Sequence, residues 1–366
     1  MTIVRWIVGL LGAGSVLLVL GSAIRTVMVP RAAPALIGRV AFLTIRGVLR
    51  AVALRSSSRR REELLSLQGP MGLFAQLATW AILIAVSFAA VLWAADVRPA
   101  SLAGVRDALR ESGSSLTTLG LVHQYRVAGE VVTFVEAGVG VVLLALVITY
   151  LPTIYGAFSR REALVSKLSV RAGSPPTATG LLSQSCQLGG FDRLEEVWDT
   201  WEEWFIDVGE THTSFPQLSF FRSARASTSW VTAAGAVLDA AALIDAGVGS
   251  APNSRAELCL GAGIDAMSRV AGFFGAPGRS TGSPRLPRET VATTLTQLAD
   301  AGVPLRCDEE QAWRNFARWR ARYERQLLTM AALADAVPTP WLARAHFAQY
   351  RPPLRAIGRP ADDARD

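Results

Sequence analysis

Three stretches of this chain run long enough without a charged residue to cross a bilayer, and no other feature narrows its possible folds so far. Between Arg5 and Arg25 there is no charge for 19 residues. Trp6 to Ile24 therefore matches a hydrocarbon core of ~30 Å at ~1.5 Å of helix rise per residue. Glu63 and Asp96 bracket a second stretch, in which Met71 to Ala95, with Trp80 and Trp93 among its aromatics, makes span two. Glu136 and Arg160 bracket the third, which places span three from Val131 to Tyr155, stopped by Pro152 and the basic pair Arg160, Arg161. A cleaved signal peptide competes for the first stretch, but its apolar region is normally about 7 to 15 residues long, and Arg25 to Pro30 is a poor small-residue cleavage site.

Charge then orients the spans. Residues 1–180 hold 18 basic and 8 acidic residues, against 19 and 22 in the remainder of the 366-residue chain. The basic excess thus flanks the apolar segments, where the lipid bilayer is a better counter-charge than nucleic acid. Arg25 to Arg61 carries nine Arg and no acid, residues 96–130 carry four of each sign, and Arg160, Arg161, Lys167 and Arg171 follow span three. The positive-inside rule puts the N-terminus and residues 96–130 outside, and residues 25–70 and the C-terminal half in the cytoplasm, as in a multi-pass protein of the cell membrane. In the first basic segment, Leu36, Ile37, Val40, Phe42, Leu43, Val48, Leu49 and Val52 alternate with Arg39, Arg46, Arg50 and Arg55 at helical spacing, which reads as a basic amphipathic helix on the inner leaflet.

The external segment holds the chemistry. Ser101 caps an expected helix with Leu102, Val105, Leu109 and Leu116 on its apolar positions, and Ser114-Ser115-Leu116-Thr117-Thr118-Leu119-Gly120-Leu121-Val122 follows before span three. Helix, Thr-Thr-apolar-Gly, then a membrane helix is the order of parts in a pore-loop channel, and the chain here resembles the potassium-channel superfamily in its two-helix form. The resemblance implies a re-entrant loop whose backbone carbonyls replace the water around a monovalent cation, K+ or Na+, and a homotetramer that supplies four such loops. It implies a filter of Thr117, Thr118, Leu119, Gly120 and Leu121, in which Gly120 permits a positive φ. The family writes Thr-Val-Gly-Tyr-Gly where this chain has Thr118-Leu119-Gly120-Leu121-Val122, which implies relaxed selectivity. A second resemblance, to a bacterial group of channel-like membrane proteins with a helical C-terminal half, rests on Tyr150 to Tyr155, Phe158 to Glu162, Arg171 to Pro176, Trp201 to Trp204 and Glu210 to Pro216.

Four residues near this segment are candidates for supporting roles. Ser114 and Ser115 are candidate braces of the pore helix. His123 reads either as an outer-mouth group, which would lower conductance on protonation, or as an exposed loop histidine. Glu136, inside span three, snorkels to the boundary, accepts from Ser114 or Ser115, or faces the permeation path. Gly138 and Gly140 beside it suit close packing or a hinge.

Pro175, Pro176 and the Ser/Thr-rich run to Thr179 read as a linker. Beyond it the apolar pattern is helical at 193–208, 227–244, 256–274, 288–300 and 308–336, with a short piece from Trp341, interrupted at a Gly/Pro-rich, mobile segment over 275–287. Asp192, Glu195, Glu196, Asp199, Glu202, Glu203, Asp207 and Glu210 interleave with Trp198, Trp201 and Trp204; they form either a divalent-cation sensor or an acidic face opposite a tryptophan core. His212 and Arg222 either bind an anion or pack and cap helices. Cys186, Cys259 and Cys307 have no paired spacing and read as buried thiols, and His123, His212 and His346 form no metal pair.

The expected fold is an all-α membrane protein: three transmembrane helices with a re-entrant pore helix and loop, and a soluble helical C-terminal domain. Its parts are an N-terminal span (1–30), a basic amphipathic linker (31–69), a pore domain (70–158), a linker (159–180) and a cytoplasmic helical domain (181–366). The expected function is monovalent-cation conduction, gated or assembled by the cytoplasmic domain and an unidentified ligand or protein there. No enzyme, cofactor or resident metal is expected. The alternative is a non-conducting, membrane-anchored helical protein that binds a partner.

Overall fold

The structure, a computed structural model, describes residues 2–28, 36–95, 101–121, 126–188, 194–223, 228–275 and 287–336. His123, most of the 275–287 interruption and the piece from Trp341 lie outside the described residues. Regular structure among those described is helical, apart from one isolated bridge between Val248 and Leu305. The first six helices are α1 (Thr2–Met28), α2 (Leu36–Ala53), α3 (Ser58–Ser66), α4 (Gln68–Ala95), α5 (Leu102–Leu116) and α6 (Val127–Ala172). Then come α7 (Ala178–Gln187), α8 (Leu194–Ser214), a 3-10 turn at Pro216–Phe220, α9 (Trp230–Ala246), α10 (Ser254–Phe273), α11 (Arg288–Asp300), α12 (Glu309–Arg320) and α13 (Glu324–Leu333). Three of them, α1, α4 and α6, are long and apolar enough to cross a membrane.

The chain divides into two compact units, Met1–Val48 with Pro70–Tyr155, and Leu49–Gly69 with Gly156–Asp366. In the first, the three apolar helices share one core: Val16, Val19 and Ala23 of α1, Trp80, Ile84 and Phe88 of α4, and Leu143 of α6. Gly12 sits so close to α4 that a methyl group there would strike the Ser87 carbonyl, and the Ser87 hydroxyl donates to Ser15 at 2.7 Å. Helix α2 is amphipathic, with Arg39, Arg46 and Arg50 on one side and most of its apolar residues on the other, and only part of that apolar surface is covered. Gly38 lies against Gln76 and Phe42 against Gly72, so α2 runs antiparallel to the first turns of α4, while Val40, Val48 and Val52 stay exposed.

Pro152 does not end the third apolar helix, and neither do Arg160 and Arg161; α6 continues to Ala172 through much of the expected 159–180 linker. Proline removes one helical hydrogen bond, leaving the others to hold. Around it, the Thr149 hydroxyl reaches the Ala145 and Leu146 carbonyls at 3.2 and 3.0 Å, and the Thr153 hydroxyl donates to the Thr149 carbonyl at 2.9 Å.

The second unit is built around α9, of which every residue but Asp245 is buried. A helix apolar on all sides has to be enclosed. Its neighbours are α7, α10, α12 and α13, with α8 packed on α10. The expected single helix over 308–336 is two, parted at Ala321–Tyr323. Tyr323 leaves the helical conformation with φ −131°, and its hydroxyl donates to Asp239 Oδ1 of α9 at 2.7 Å. Helix α7 occupies residues that read as linker and beyond; Thr177 caps it by accepting from the Gly180 amide at 3.0 Å.

Candidate functional site

Ser101 begins α5 as expected, accepting from the Gly104 amide at 3.3 Å. The helix then reverses the usual arrangement of a half-buried helix. Leu102 is 91% exposed, and Val105 and Leu109 are also exposed, whereas Glu111, Ser112 and Ser114 are buried. Polar groups withdrawn from water need partners, and each serine of this run has a different one. The Ser112 hydroxyl lies 2.7 Å from the Ala85 carbonyl of α4 and is hydrogen-bonded to Glu136 of α6. Ser115 donates to the Thr133 carbonyl at 2.6 Å, and Ser114 accepts from the Leu121 amide at 2.8 Å. Glu136 is completely buried. It therefore does not snorkel, and its partner is Ser112 rather than Ser114 or Ser115. Sequence reasoning missed Ser112; the one signal for it was a polar run, Glu111 to Ser115, between two apolar spans.

The turn after α5 is anchored to the helix end. The Thr118 amide donates to the Ser115 carbonyl and the Leu119 amide to the Ser114 carbonyl, both at 2.9 Å, the double bond of a Schellman cap. Such a cap requires a left-handed residue, here Thr118 with φ 56°. That is uncomfortable for a β-branched side chain. Gly120 follows at φ 66°, and Leu119 between them is not among the positive-φ residues. The Thr117 hydroxyl donates to the Gly113 carbonyl at 2.6 Å and is a brace. Thr117, Thr118, Leu119, Gly120 and Leu121 are all exposed in the protomer.

Distance along the neighbouring helices locates this turn. Ala85 lies 10 residues before the end of α4 at Ala95, about 15 Å at 1.5 Å per residue. Gly140 of α6 abuts the Leu116 carbonyl so closely that a Cβ there would collide with it. It lies 13 residues after Val127, about 20 Å along α6. Gly140 thus serves close packing, while Gly138 faces open space.

The candidates of the second unit resolve into packing. Trp198, Trp201 and Trp204 are buried, and four of the seven acids of α8 are in ion pairs, Asp199 and Glu195 with Arg255, Asp207 with Arg160 at 3.1 Å, Glu210 with Arg269 at 2.7 Å, while Asp192 lies outside the described residues. No group of three metal-ligating side chains occurs among the described residues. Arg222 pairs with Glu62 at 2.9 Å. His212 is buried with its Nε2 3.0 Å from Arg161, which also donates to the Leu218 and Phe221 carbonyls at 3.0 and 2.7 Å and lies over the Trp230 ring. Since a guanidinium only donates, Nε2 is the unprotonated nitrogen. Burial and the neighbouring Arg161 hold His212 well below its ordinary value. Of the thiols, Cys259 is buried, and burial pushes it up from its ordinary value, as do Glu202 and Asp199; Cys186 and Cys307 are partly exposed. Comparison of the chain with protein-family models, with curated proteins and with solved structures gave no match.

Proposed function

We propose that the chain is one subunit of a homotetrameric pore-loop cation channel of the cell membrane, with α5 as pore helix and Thr117 to Leu121 as the filter. The observation that carries this reading is depth. The end of α5 contacts α4 and α6 about 15 to 20 Å inward from their nearer ends, which is about half to two thirds of a ~30 Å hydrocarbon core. Irregular backbone at such a level is tolerated only where protein or water lines it. The exposed turn therefore calls for further copies around a common axis, and one loop per chain gives four copies in a channel like the family it resembles.

On this reading the carbonyls of Thr118, Leu119 and Gly120 face a monovalent cation, K+ or Na+, and the left-handed geometry at 118 and 120 supports that use. The C-terminal end of α5 adds partial negative charge beside the ion path. The N-terminus is outside and the second unit is cytoplasmic, where it gates or assembles the pore. A non-conducting anchor draws support from one feature: the positive φ of Thr118 also satisfies an ordinary helix cap. The two readings separate in liposomes reconstituted with the full chain. Wild-type protein should pass K+ or Na+, and Gly120→Asp, which puts a side chain and a charge into the filter, should abolish the flux. Absence of flux from the wild type, or equal flux from the variant, overturns the channel.

A further inference from the structure

Ser112 sits where three helices meet, and its two contacts can both be hydrogen bonds in only one arrangement of protons. A serine hydroxyl has one hydrogen to donate. The Ala85 carbonyl of α4, 2.7 Å away, can only accept, so if both contacts of the hydroxyl are hydrogen bonds, Ala85 takes that hydrogen. The contact between Ser112 and Glu136 is then a hydrogen bond only if Glu136 supplies its own hydrogen. The surroundings agree. Glu136 is 0% exposed, and its Oε2 has no hydrogen-bond partner among the described residues. An ionised carboxylate enclosed in this way carries a heavy desolvation cost.

The charged groups on the packed helices offer no evident substitute. Helix α4 has no charged residue from Gln68 to Ala95. Helix α5 carries Arg106, paired with Asp107 at 3.6 Å, with Arg110 exposed and Glu111, a second buried acid, next to Ser112. Arg5 of α1 stands over the Trp93 ring at 5.4 Å, and Arg25 of α1 is exposed. On α6 itself Glu130 is exposed, six residues before Glu136.

We propose that Glu136 is a neutral carboxylic acid at neutral pH that donates to Ser112, which donates to the Ala85 carbonyl, so that one directional chain of two hydrogen bonds holds α5 between α6 and α4. Glu136 is thus a positioning residue for α5 and for the turn built on its end. Removing the proton leaves Ser112 with two acceptors for one hydrogen, and one of the two links is lost. The brace itself does not require that the turn conduct ions; its effect on flux rests on the channel reading.

Infrared spectroscopy of the full chain in liposomes tests it. At pH 7 the difference spectrum between wild type and Glu136→Gln should contain the carbonyl stretch of a protonated carboxyl, and Ser112→Ala should shift that band. Taking the difference removes the contribution of Glu111. Gln is isosteric and keeps a donor to Ser112, so this variant should fold. A carboxylate signature in the same difference spectrum overturns the proposal. Hydrogen exchange of the α5 amides, corrected for intrinsic rate, supplies a second readout. Alkaline pH should accelerate exchange in wild type and leave Glu136→Gln unchanged, and equal acceleration in both overturns the brace. Cation flux should likewise fall at alkaline pH in wild type alone. Loss of all wild-type flux with the protonated band intact removes the channel reading and leaves the brace standing.

Discussion

Glu136 in the first unit and Asp239 in the second are both completely buried acids, yet they are accommodated by opposite means. Asp239 faces the buried Arg320 guanidinium and receives the Tyr323 hydroxyl, so a full countercharge and a second donor stand against it. Glu136 has a serine. Elsewhere in the second unit the buried Arg161 likewise meets an acid, Glu162, and donates to His212 and two carbonyls. In the first, several joints are made by hydroxyls and backbone carbonyls: Ser112 to Ala85, Ser115 to Thr133, Ser87 to Ser15. Helices long and apolar enough to cross a membrane hold few charges and rely on neutral donors and close backbone approach, whereas the helices of the second unit carry charges that meet in pairs.

The largest effect expected from breaking this contrast lies in the second unit. Arg320→Met strands Asp239 without its countercharge and should cost about 3–5 kcal/mol of stability. Adding Asp239→Leu should restore most of it, and denaturant midpoints followed by near-ultraviolet circular dichroism measure both. A smaller loss is expected in the first unit from Gly140→Leu. Its side chain would meet the Leu116 carbonyl, and such overpacking costs up to about 3 kcal/mol. Faster amide exchange in α5 and the neighbouring part of α6 would register it, and unaltered exchange there would show that the close approach is dispensable.

Acidification sharpens the contrast from the other side. The folded second unit holds His212 well below its ordinary 6.5, so below that pH the unfolded chain binds more protons than the folded one. Stability is complete above about pH 6.5 and falls as the pH drops, by at most ~1.4 kcal/mol per unit. Melting curves between pH 7 and 5 should slope accordingly, and His212→Gln, whose amide oxygen can still accept from Arg161, should flatten the slope. The smallest effect is a gain. Thr118→Gly relieves a left-handed β-branched residue in the cap of α5 and should stabilise the first unit by about 1 kcal/mol. An unchanged or lower melting point would mean that the Thr118 side chain makes up for its strained backbone.

Gaps between charges made the three apolar helices legible, because a run that excludes charge over 19 or more residues leaves few other structures available. Ser101 and Gly120 were legible for local reasons, a capping oxygen before a helix and a residue tolerant of positive φ. Ser112 was not. Its role depends on Ala85 and Glu136, residues 27 and 24 positions away, and adjacency in sequence favoured Ser114 and Ser115 instead. The parting of α12 from α13 escaped for the same reason, and the continuation of α6 past Pro152 because one lost hydrogen bond does not end a helix. The parting coincides with a tyrosine drawn to an acid on another helix, and threonine hydroxyls on neighbouring turns accompany the continuation.

By itself the sequence determined which segments shun water and where helices begin, since those outcomes are decided within a few turns of chain by transfer free energy and capping. Tertiary structure alone decided which hydroxyl meets which carboxyl, that α5 turns Ser112 and Ser114 inward and Leu102 and Leu109 outward, and that Gly140 receives the end of that helix. A buried polar atom is stable only against a partner at hydrogen-bond distance, and no local pattern encodes which distant backbone will be brought there.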